Sequence, residues 1–393
     1  MLNLRIYRAK VAKSIISITI LTHFLFYAEI SSQKIPDLTS PLRSCWKFET
    51  DKMTPTNLAS DNEENISSSI SLSDKKNEQS KQNKQNIYLS LLGGKLESIN
   101  FKTGKKSWES ELGGEIILTP IIYKESIYVT SKIKEKIYIR SLSRNSGVTN
   151  WQASFNFSNN IFLLKAVDKL IILDKDGEIS AINPDNGAVL WNNKSKIAFS
   201  TPPFVFENQI VVGNIDKKVL FYSIENGSIL AKLNVSTIPS LTSIINNRYL
   251  FWSNYKGNAY LIDLIPKKTI WKFRSGAEIS HITVTGQGIL ISSLDNFIYF
   301  VSVDKGKLLW KKRFDGRLLF NPVIIDKYAI VITSSSNLAD IIDIESSKII
   351  NQIVIEENNY FTNMPLISDN LFVFPTINGL IAFTNSKVEC ISN

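Results

Sequence analysis

Beyond residue 42 the chain alternates short apolar runs with turn residues. Within the stretch from Asn186 to Ala231, three such runs follow one another: Pro203 to Phe206, Gln209 to Gly213 and Lys218 to Ile224. Each is rich in Val, Ile, Leu and Phe and is bounded by Asn, Asp or Gly, which reads as strand, turn, strand. A fourth run surrounds Trp191. The runs are too short for helices, and no amphipathic helical period of any length follows the N-terminus. The pattern predicts an all-β chain built from four-stranded antiparallel units of about 40 residues.

The unit recurs. Gly-x-x-x-Trp occurs as Gly104 to Trp108, Gly147 to Trp151, Gly187 to Trp191 and Gly306 to Trp310. Degenerate copies end at Ala231 after Gly227, at Trp271 with Lys267 in the glycine slot, and at Asn351 with Ser347 there. Trp46 opens the series and Cys390 closes it. The first step is 62 residues and the others are 39 to 43. Six of the seven tryptophans lie on this lattice; Trp252 does not. Radial repetition of such a unit is the signature of a propeller, here with eight blades. The glycine supplies a positive φ for the turn into the outer strand. At Lys267 and Ser347 the expectation is therefore a different turn or a strained residue. Trp46, Trp108, Trp151, Trp191, Trp271 and Trp310 are read as structural plates wedged between blades, each with one N–H that needs a partner. Simple burial within a blade is the alternative.

The segments NFKTGKKSW, NPDNGAVLW and SVDKGKLLW resemble the pyrroloquinoline-quinone (PQQ) repeat. The resemblance extends over nearly all of the chain after residue 42 and implies an eight-bladed β-propeller. Its catalytic members would carry adjacent cysteines and a calcium-binding carboxylate set. This chain has two cysteines far apart, no such carboxylate cluster and no C-x-x-C-H for haem. The chain thus resembles the non-catalytic, BamB-like branch of the family. That resemblance implies an exported scaffold with no cofactor, whose inter-blade loops bind a component of the outer-membrane barrel-assembly machinery. A divergent PQQ-dependent dehydrogenase and a carbohydrate- or cell-wall-binding module are the alternatives. Catalytic, cofactor and metal residues are expected to be absent.

Eight sets of inner strands but nine outer-type segments leave one segment over. The expected solution pairs the segment Cys45–Thr50 with Gly379–Thr384, so that the ring closes on itself and loses an exposed edge. Cys45 and Cys390 would then meet at the seam, where an oxidising compartment favours a disulfide. Two unpaired thiols are the other outcome.

Residues 1–32 differ from the rest. Arg5, Arg8, Lys10 and Lys13 precede an apolar run from Ser14 to Ala28, the layout of a signal peptide. Residues 33–41 read as a short linker and 42–393 as a single propeller domain. Cys45 lies 17 residues beyond Ala28, too far for a lipid-modified cysteine directly after the apolar run. A periplasmic or outer-membrane-associated location is expected, with lipidation disfavoured. Residues 66–86 are polar and without aromatics, which reads as a disordered insertion in blade 1. Removing residues 1–32, with four cations and one acid, lowers the net charge from +9 to +6. The remaining cations are scattered in the sequence and predict no nucleic-acid partner. Peripheral contact with an anionic membrane is compatible with that charge, and a monomeric ring is expected.

A proline recurs at the start of the innermost strands: Pro55, Pro120, Pro202, Pro322 and Pro365. A strand's first residue tolerates the missing N–H. The residues just before these prolines, Thr54, Thr119, Thr201, Asn321 and Met364, are candidates for the channel mouth, as is His281, which takes the proline slot itself. A lone histidine there binds a ligand, senses pH, or is simply a hydrogen-bonded loop residue.

Overall fold

The computed structural model describes residues 38–50, 55–60, 86–157, 160–194, 197–368, 370–385 and Cys390. Residues 1–32, read above as a signal peptide, residues 33–37 of the expected linker, Thr54 and residues 66–85 of the expected insertion lie outside them.

Eight antiparallel sheets follow in chain order. Blade 1 runs from the centre outwards as Pro55–Ser60, Asn86–Leu91, Lys95–Asn100 and Lys106–Glu111. Blade 2 has an innermost strand split at Pro120 into Glu115–Ile116 and Ile121–Tyr123, then Ser126–Ile133, Lys136–Ser143 and Thr149–Phe155. Blades 3 and 4 span 161–194 and 204–234, blades 5 and 6 span 241–274 and 279–313, and blade 7 spans 323–354. Blade 8 takes Leu366–Ser368, Leu371–Thr376 and Gly379–Asn385 from the C-terminal end and its outer strand, Leu42–Glu49, from the N-terminal end. In that seam Trp46 faces Ala382 and Glu49 faces Gly379. Pairing the two ends removes the edge that would otherwise template association.

The burial follows from stacking sheets face to face around a ring. Among the described residues there are eight apolar clusters, one at each junction between neighbouring blades. Both faces of every sheet are covered, so a middle strand such as Gln209–Asn214 is buried almost throughout. The outer strands have one free edge and alternate exposed and half-buried positions, as in Val189–Lys194.

Three details depart from the sequence reading. The repeat from Asn186 to Ala231 is one period long but not one blade, because the Trp191 strand pairs with Glu178–Ile182 and closes blade 3. Asn86, placed at the end of the insertion, opens a strand, and Ser60 and Ile87 pair across residues 61–85. Leu38, placed in the linker, is fully buried in the cluster between blades 7 and 8.

Six of the eight junctions carry a tryptophan lock. The Trp191 ring lies on Gly227 of the next blade, where an added Cβ would sit 2.6 Å from the ring. Its Nε1 donates to Ile224 O at 3.0 Å. Trp108, Trp151, Trp271 and Trp310 likewise donate to Arg144, Pro184, Val303 and Ile344 of their next blades, at 3.1, 2.8, 2.7 and 2.7 Å. Trp46 lies on Gly104 across the seam. In every blade a β-bulge falls on the residue just before the tryptophan slot, for example Leu190, Leu230, Ile270 and Leu309. The bulge adds local twist, and in blades 3 to 6 that residue is exposed. Lys267 and Ser347, in the glycine slots, keep positive φ values of 53° and 59°. The turn is conserved in shape and the residue carries the strain.

Candidate site in the central channel

The innermost strands of blades 5 and 6, with the residues leading into blades 4 and 7, line a cavity of about 200 Å³. It is lined by Pro202 before blade 4, Leu241 to Ile244 of blade 5, His281 to Val284 of blade 6, and Asn321 before blade 7. These strands begin where the chain turns inwards from the previous outer strand, which brings hydroxyl and amide side chains to the inner ends. Thr283 Oγ1 donates to Asn321 Oδ1 at 2.5 Å, and Ser280 Oγ donates to Leu318 O at 2.8 Å, tying blade 6 to blade 7. Thr201 Oγ1 accepts from Gly213 N at 2.8 Å and shares a hydrogen bond of 3.1 Å with Thr242 Oγ1 of blade 5.

His281 is the one titratable side chain in the lining. Burial holds its pKa below the ordinary histidine value of 6.5, because desolvation penalises the imidazolium. Its Nδ1 has no hydrogen-bond partner in the protein. The neutral ring, the hydroxyls and the aliphatic walls suit an uncharged polar group or a peptide segment. A quinone cofactor bearing three carboxylates does not fit this lining, which offers neither a fixed cation nor carboxylates to hold calcium. Among the described residues, no three His, Cys, Asp or Glu side chains gather into a metal-binding group.

The mouth candidates separate in space. Thr119 and Asn321 are exposed and His281 lines the cavity. Thr201 does not face the mouth: it is 2% exposed and spends its hydroxyl between blades 4 and 5. Met364 is half-buried and packs on the cluster between blades 7 and 8. Thr54 lies outside the described residues. Sequence reasoning missed Ser243 and Thr283, whose only signal was a hydroxyl on an innermost strand otherwise apolar.

At the seam, Cys45 occupies the bulge before Trp46 and is bonded to Cys390, with the Cα atoms 5.3 Å apart.

The family model described as outer membrane protein assembly factor BamB matches residues 83–193, 135–243 and 231–387. The chain belongs to this family. A BamB of Taylorella asinigenitalis is 22% identical over 175 residues, 40% of this chain and 43% of that protein. The chain thus matches less than half the length of that relative. A BamB of Moranella endobia is 20% identical over 314 residues, 78% of this chain and 69% of that protein. A tetrathionate hydrolase of Acidithiobacillus ferrooxidans is 23% identical over 175 residues, 38% of this chain and 35% of that protein. The crystal structure of BamB from Moraxella catarrhalis superposes with a TM-score of 0.63 at 15% identity, covering 89% of this chain and 99% of that one. At that identity the likeness speaks to the fold alone.

Proposed function

We propose that this protein is an exported, non-enzymatic scaffold that binds a protein component of outer-membrane barrel assembly. The observation that carries the reading is the family match across residues 83–387. The cavity between blades 4 and 7 supports it: its lining holds neutral hydroxyls, an amide and an uncharged histidine in place of an acid–base pair. The ring, locked at six of its eight junctions by a tryptophan, presents such groups without reorganisation, which lowers the entropic cost of binding. Residues 1–32 act as the signal in this reading, and the Cys45–Cys390 bond forms on export.

The test is affinity purification of the full chain from cell envelopes, comparing wild type with Thr119→Glu and Asn321→Lys. Co-purification of an outer-membrane barrel protein, weakened by those substitutions, is the expected result. Recovery of the ring alone under crosslinking would count against the scaffold. The tetrathionate hydrolase relative motivates a second reading, an enzyme working in the channel. Turnover of tetrathionate, or dye-linked alcohol oxidation with added PQQ and calcium, would favour it, above all if His281→Ala abolished the activity.

A further inference from the structure

We propose that the outer rim of blades 5 and 6 is a docking face for an anionic phospholipid membrane. Cations that are scattered in the sequence converge there. Lys267, Lys268, Lys272 and Arg274 are all exposed on the turn and outer strand of blade 5. Lys307, Lys311 and Arg313 are exposed at the equivalent positions of blade 6, and Lys305 is exposed in the turn before them. The Trp271–Gly306 lock and the bond from Trp271 Nε1 to Val303 O hold the two segments side by side. The single acid within them is Asp304. None of the eight cations joins a salt bridge among the described residues, whereas Lys106, Lys169 and Lys194 of blades 1 and 3 are each paired with carboxylates.

Exposed aliphatic side chains alternate with these charges. Ile265, at the tip of the turn, is 77% exposed, and the bulge residues Ile270 and Leu309 are 41% and 49% exposed. Cations for headgroups beside aliphatic groups for the acyl boundary are what interfacial membrane binding requires. The composition argues against a protein partner. Protein interfaces are depleted in lysine and enriched in aromatic residues. Here six of the eight cations are lysine, and the aromatics on the two strands, Trp271, Phe273 and Trp310, are buried or half-buried in the blade junctions. Neither the outer strand of blade 2, Thr149–Phe155, nor that of blade 7, Ile349–Val354, contains a cation.

The experiment is lysine acetylation read by mass spectrometry on the full chain, with vesicles of phosphatidylcholine alone or with about one third phosphatidylglycerol, the anionic lipid supplying the surface potential. Phosphatidylglycerol should slow labelling of Lys268, Lys272, Lys307 and Lys311 and leave the exposed Lys102 and Lys105 of blade 1 unchanged. Equal protection of both sets, or of neither, would overturn the proposal. As a second readout, the combined variant K268E/K272E/K307E/K311E should lose at least tenfold in affinity for the anionic vesicles, the loss shrinking at high salt. The blade 1 variant K102E/K105E should bind as the wild type does. Undiminished binding by the fourfold variant would refute the membrane face, as would selective protection of the patch by an acidic peptide but not by vesicles.

Discussion

The junction between blades 3 and 4 and the one between blades 4 and 5 do the same job with different parts. At the first, Trp191 lies flat on Gly227 and donates to Ile224 O. At the second, Ala231 stands in the tryptophan slot and Lys267 in the glycine slot, with φ at 53°. Here both are lost, whereas the junction between blades 6 and 7 keeps Trp310 with Ser347 in the glycine slot. Without a ring to receive, the next blade has no need of a position that lacks Cβ, and the turn survives on a left-handed lysine. The cluster around Phe204, Phe221 and Leu250 supplies the apolar contact instead. A third solution joins blades 7 and 8: Asn351 in the tryptophan slot donates to Leu38 O and Ser40 O at 3.0 and 2.9 Å. The glycine of the repeat therefore answers two demands, a positive φ and a seat for the neighbour's ring, and only the first is indispensable to the turn.

That comparison can be tested from its strongest lock to its weakest. The seam has a covalent one. Cys390→Ser opens a loop with a sequence separation of 345, and the chain-entropy model sets a ceiling of roughly 5 kcal/mol on the loss. A melting midpoint indifferent to both the substitution and reducing agent would show that the strand pairing carries the seam unaided. Trp191→Ala should cost ~3–5 kcal/mol, as removal of a large packed aromatic does. Ala231→Gly, one junction on, should cost far less, and equal effects would dissolve the distinction between the two kinds of junction. Gly187→Ala puts a Cβ 2.7 Å from the Trp151 ring at φ 75°. The left-handed backbone costs about 1–2 kcal/mol and overpacking about 1–3 kcal/mol, so a loss of about 2–5 kcal/mol is expected in denaturant titration. Ala231→Trp alone should destabilise, because Lys267 occupies the seat, and adding Lys267→Gly should restore part of the loss. A double-mutant cycle ought to return a coupling of about 0.5–3 kcal/mol; a value near zero would mean that the slots are independent. Smallest of all, deleting residues 66–85 should leave the melting curve nearly unchanged, since closure cost varies by only about 0.6 kcal/mol per doubling of loop length. Loss of soluble protein would show that the segment packs on the ring.

His281 adds a pH dependence outside the junctions. Its pKa is depressed in the fold, so the unfolded chain binds the extra proton first. Stability is full above the unfolded value near 6.5 and falls as pH drops from there towards the folded pKa. His281→Leu should flatten that part of the melting-temperature profile.

The number of blades, the period and the identity of the locking tryptophans were legible in the residues, because a rare side chain at a fixed spacing leaves a countable trace. The pairing of Leu42–Glu49 with Gly379–Asn385 was legible too, since nine outer segments cannot serve eight blades. The bulge before each tryptophan slot left no trace, as it is a mismatch between two strands and belongs to neither. The inner ends were harder still. Thr119 and Thr201 hold equivalent places before a proline, yet one is exposed and the other is sealed between two blades. Linear position determined which residues begin the inner strands. Which of them reach the channel depends on how each blade tilts against the next. The rim of blades 5 and 6 shows the same limit in charge: its lysines lie in two segments about 40 residues apart, a period that folds them onto neighbouring strands. Sequence alone determined the repeat, because turn chemistry and apolar patterning act over a few residues. Tertiary structure decided the surfaces, because a surface is made where segments distant in the chain are brought side by side.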